Sequence, residues 1–108
     1  MDFKTRMEQM IDKGIAGTKD LWDKAKEKAR DLSQKGILTF EIGQLERQAY
    51  SDLSKLGTLV YDSLVNKSKP AVYPEDLDVK KLIESVQELK GRIEAKEEEL
   101  KKLREKGG

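Results

Sequence analysis

Cysteine and histidine are both absent from the 108 residues of this chain. Their absence excludes disulfides, thiolate chemistry and the usual zinc ligands, and it removes the commonest general base. The sequence also contains neither a glycine-rich phosphate loop nor a nucleophile elbow. We therefore expect a protein that is not an enzyme, with no cofactor, no bound metal and no small-molecule substrate.

An excess of charge of one sign is lacking as well. The 22 basic and 21 acidic side chains leave a net charge of +1, so no global field steers the molecule towards nucleic acid. Aromatic residues make up only 6% of the chain and are too scattered to form a stacking platform for single-stranded nucleic acid. We expect no nucleic-acid partner.

Long hydrophobic runs are missing too. No window approaches the roughly 18 to 20 apolar residues that a spanning helix needs, and the first residues do not have the pattern of a secretory leader. These features predict a cytoplasmic protein. Attachment to a membrane surface stays open, because it requires an amphipathic helix rather than a hydrophobic run.

Proline is scarce, and the only two prolines, Pro70 and Pro74, lie between two long segments with helical periodicity, 37–67 and 75–106. Each segment has apolar residues at spacings of three and four, which place them on one face of a helix. We predict an all-α fold in which residues 37–108 form a long antiparallel, coiled-coil-like hairpin with its loop at about 67–75. The predicted packing or partner surface consists of Leu45, Leu56, Val60, Leu64, Val79, Leu82, Val86, Leu89 and Ile93.

Four residues within this hairpin interrupt the apolar pattern. Gly36 is expected to be a stop or hinge before the first helix, and Gly57 to weaken that helix or to mark a close approach of another backbone. Asp52 is interpreted as an exposed flank or a polar residue that sets the register, and Lys96 as a seam residue with a packed stem and its amine in water. At the loop, Val72 and Tyr73 are expected to fold back onto the helix as a small apolar cap.

Residues 1–36 form a separate N-terminal arm in this interpretation. Three similar segments recur in it every eleven residues, close to three full helical turns, so equivalent positions stay on one side of a helix. Gly14 and Gly17 favour a break within the arm. Its amphipathic face suits docking on the hairpin or on another copy, or binding to lipid, and a largely disordered arm is the third alternative. The predicted lipid or partner face consists of Phe3, Met7, Met10, Ile11, Leu21 and Trp22.

The hairpin segments at 42–47, 53–61 and 103–107 resemble those of small, mostly uncharacterised bacterial coiled-coil proteins. Many members of that group carry a C-terminal zinc ribbon, and the absence of cysteine means that this metal function is not carried over. The resemblance implies a bacterial cytoplasmic interaction protein. Our leading hypothesis is accordingly a helical interaction or scaffold protein that self-associates or binds a protein partner, and the alternative is peripheral membrane binding through the arm.

Overall fold

A computed structural model of the chain describes residues 2–17, 23 and 33–107. Helix α1 spans Phe3–Gly17, helix α2 spans Gln34–Tyr61 and continues into a π-helical turn at Asp62–Asn66, and helix α3 spans Leu77–Gly107. No strand occurs within the described ranges. The predicted all-α class is therefore confirmed.

Helix α2 begins three residues earlier than the predicted start at residue 37. Ser33 has the extended backbone of an N-cap residue, and its hydroxyl oxygen accepts a hydrogen bond of 3.1 Å from the backbone N–H of Gly36. This bond satisfies one of the free N–H groups at the start of the helix. The expectation of a stop or hinge at Gly36 is wrong, because Gly36 lies buried in the first turn of α2.

The connection between α2 and α3 starts with the π-helical turn, in which the N–H of Lys67 donates to the carbonyl oxygen of Asp62 at 3.0 Å. Ser68 follows with a φ of 52° in the left-handed region. At the other end of the loop, the N–H of Tyr73 donates to the carboxylate of Asp76 at 3.1 Å. This contact closes a turn over Pro74, so regular helix begins at Leu77, two residues after the predicted start at 75.

Two polar contacts define how α2 and α3 run past each other. Lys96 Nζ lies 2.6 Å from Glu41 Oε2, and Ser85 Oγ donates to Asp52 Oδ2. The partner on α3 moves back by eleven residues as the partner on α2 moves forward by eleven. The two helices are therefore antiparallel along this stretch.

The hydrophobic core contains side chains from all three described helices. Helix α1 contributes methionines, and the facing surfaces of α2 and α3 contribute mainly leucine and isoleucine. The buried members are Met7, Met10, Leu38, Ile42, Leu45, Ala49, Leu89, Ile93 and Leu100. The members from α2 and α3 lie at positions 38–49 and 89–100. The core therefore extends from the middle of the helix pair towards the end away from the loop.

Within the described residues, no helix combines the length and the apolar character needed to cross a membrane.

Candidate interaction surface

The residues of the predicted packing surface differ in how deeply they are buried. Four of its residues, Leu45, Val79, Leu89 and Ile93, are buried, with Ile93 only 1% exposed. Another four are half-buried, namely Leu56, Val60, Leu82 and Val86. Leu64, near the loop, is 41% exposed and leaves its apolar surface in solvent. Most of these residues become less buried towards the loop, but Val79 is buried at the loop end, in the first turn of α3.

The residues of the predicted face of the arm also differ in burial. Met7 and Met10 are buried in the core, and Phe3 packs against it. Ile11 is 59% exposed on the same helix. Leu21 and Trp22 lie outside the described residues. Any lipid contact by Met7 or Met10 would thus require α1 to leave the other two helices.

A buried ion pair joins α1 to α2. Arg6 Nη2 lies 3.0 Å from Glu46 Oε1, and Arg6 Nε lies 3.0 Å from Glu46 Oε2, which is the two-pronged geometry of a strong guanidinium–carboxylate pair. The side chain of Glu46 is 7% exposed. Burial raises the pKa of Glu46, Arg6 opposes that rise, and Glu97 on α3 adds to it. The pair holds α1 against α2, but it requires a charged group to be removed from water, which costs free energy.

This pair was missed in the sequence. The available signal is the position of Glu46, four residues after Ile42 and next to Leu45, which places a carboxylate at the border of the apolar stripe. A charged residue there is usually read as a solvated flank. Only the docking of α1 supplies the arginine that makes the site buried and paired.

The polar residues between α2 and α3 are partnered. We expected the amine of Lys96 to lie in water. Instead, it pairs with Glu41. Asp52 accepts a hydrogen bond from Ser85, which fits the register-setting alternative for this residue. An open depression of about 360 Å³ lies beside this contact, lined by side chains of both charges.

No group of three side chains able to hold a metal ion occurs in the described part of the chain.

Five large apolar side chains are exposed at the loop end of the helix pair, and we call this set the apolar tip. Its members come from the end of α2, the π-helical turn, the loop and the start of α3. They are Tyr61 (63% exposed), Leu64 (41%), Val65 (54%), Tyr73 (58%) and Leu77 (66%).

The apolar tip differs from the expected apolar cap. Tyr73 remains more than half exposed instead of folding back, whereas Val72 is half-buried. Of the two alternatives for Gly57, a close approach of another backbone is wrong, because a Cβ added there would meet no atom within 4 Å. The helix pair therefore ends with several apolar side chains exposed at the loop.

Comparison of the chain with protein-family models, with curated proteins and with solved structures gives no match. The resemblance to small bacterial coiled-coil proteins stays a prediction that rests on the helical segments alone.

Proposed function

We propose that this protein is a non-enzymatic helical interaction protein that presents the apolar tip to a protein partner. In this proposal α2 and α3 form a coiled-coil-like hairpin, and α1 is an additional helix docked at its open end. The observation that carries the proposal is the distribution of exposed apolar surface. Of the seven large apolar side chains that are exposed in the described residues, five belong to the apolar tip.

Exposed apolar surface of this kind has a cost in solution. Single exposed apolar residues are common on any protein, but a cluster of them is typical of a surface that another molecule covers. The chain has 40% charged residues with which to coat its surface, and the other end of the helix pair is covered by Met7 and Met10 of α1. An uncovered cluster at the tip therefore favours binding there.

The docking of α1 supports the same proposal from the opposite end of the molecule. Two helices alone bury little apolar area, so an additional element is needed for a stable core. Helix α1 supplies it through the methionines and through the Arg6–Glu46 pair. The tip is then the main apolar surface of the described helices that is left for a partner.

Site-specific photo-crosslinking tests this function in cells that naturally produce the protein. Benzoylphenylalanine in place of Tyr73 puts the reactive group at the apolar tip, and the same residue in place of Ile37 is the control. Ile37 is also an exposed apolar residue, 42% accessible, but it lies at the opposite end of α2. We expect protein adducts from position 73 well above those from position 37. Equal or absent adducts at position 73 would contradict the proposed function.

Lipid binding through the arm is a second candidate, and the exposure of Ile11 is the observation that favours it. Met7 and Met10 weigh against it, because they are buried in the protein core and must leave that core before they reach lipid. Flotation of the full chain with anionic vesicles tests this second candidate.

A further inference from the structure

We draw no further inference here: the strongest candidate, the apolar tip at the loop end of the helix pair, already belongs to the proposed function, and nothing in the structure shows what covers it.

Discussion

At the scale of single residues, the position of α1 depends on one buried carboxylate. Glu46 is the only charged side chain that is buried among the described residues, and Arg6 approaches it from another helix. Removing a carboxylate from water disfavours its ionised form, and the nearby arginine recovers only part of that cost. Burial is the larger influence, so the pKa of Glu46 is raised above its ordinary value of 4.5.

The raised pKa predicts how Glu46→Gln changes the pH dependence of stability. A group whose pKa is higher in the folded state than in the unfolded state contributes stability that is fully present below the unfolded pKa and is lost as pH rises through the folded pKa. Glutamine has no such proton to lose. We expect the unfolding free energy of the variant, relative to the parent, to increase as pH rises from 4.5 through the folded pKa, measured by urea denaturation at a series of pH values.

Asp2→Asn serves as a control of opposite sign. The N–H of Thr5 donates to the carboxylate of Asp2 at 2.9 Å and lowers the pKa of Asp2 below its ordinary value of 3.8. Stability from this group is present above that value and is lost as pH falls. The unfolding free energy of the Asn variant, relative to the parent, should therefore decrease as pH rises towards about 4. A Glu46→Gln curve parallel to that of the parent at every pH would refute the interpretation of Glu46.

At the scale of helices, local chemistry accounts for most of what forms, and the boundaries depend on a few side chains. The periodicity of the apolar residues predicts both long helices, and Pro70 and Pro74 predict the interruption between them. The start of α2 depends on the hydroxyl of Ser33, which accepts a hydrogen bond from the backbone N–H of Gly36. The π-helical turn at Asp62–Asn66 has no signal in the periodicity, because its hydrogen bonds depend on how the chain leaves α2.

Gly91 offers a test of helix propensity in α3. It lies exposed in the middle of the helix, and a Cβ added there would meet no atom within 4 Å. Replacing it with alanine removes backbone freedom from the unfolded chain without any steric cost. We expect Gly91→Ala to stabilise the protein by roughly 0.5 to 1 kcal/mol in urea denaturation.

The matched reverse substitution is Ala95→Gly, at an exposed position one turn later in the same helix. It should destabilise the protein by a similar amount. A Gly91→Ala variant of unchanged or reduced stability would show that position 91 is not a free helical surface.

At the scale of the whole molecule, the three described helices depend on one another through a single core. Its apolar side chains extend from the middle of the helix pair towards the end away from the loop, and α1 covers them with Met7 and Met10. The molecule extends over 56 Å in its longest direction and only 19 Å in its shortest, so the described helices have little further interior. Loss of the α1 contact should therefore affect the entire fold.

Met7→Ala tests this dependence. Met7 is 3% exposed, and truncating a buried methionine costs about 2 to 5 kcal/mol through lost burial and the cavity that remains. We expect a loss in that range in urea denaturation, within one cooperative transition. Ile11→Ala, on the same helix but 59% exposed, should cost less than about 0.5 kcal/mol. A Met7→Ala variant with unchanged global stability would mean that α1 opens independently of the other helices.

The sequence by itself determined the helical class, the two long helices and their interruption, because periodicity and proline act through local geometry. It also marked Leu45, Leu89 and Ile93 for the packing surface, since these are the apolar residues of a repeating stripe. Contacts between distant segments were decided only by the tertiary structure. The burial of Glu46 depends on an arginine 40 residues away, and the partner of Lys96 on a glutamate 55 residues away. The open apolar tip is likewise a tertiary result, because the exposure of Leu64 and Tyr73 depends on where the loop leaves and rejoins the helices.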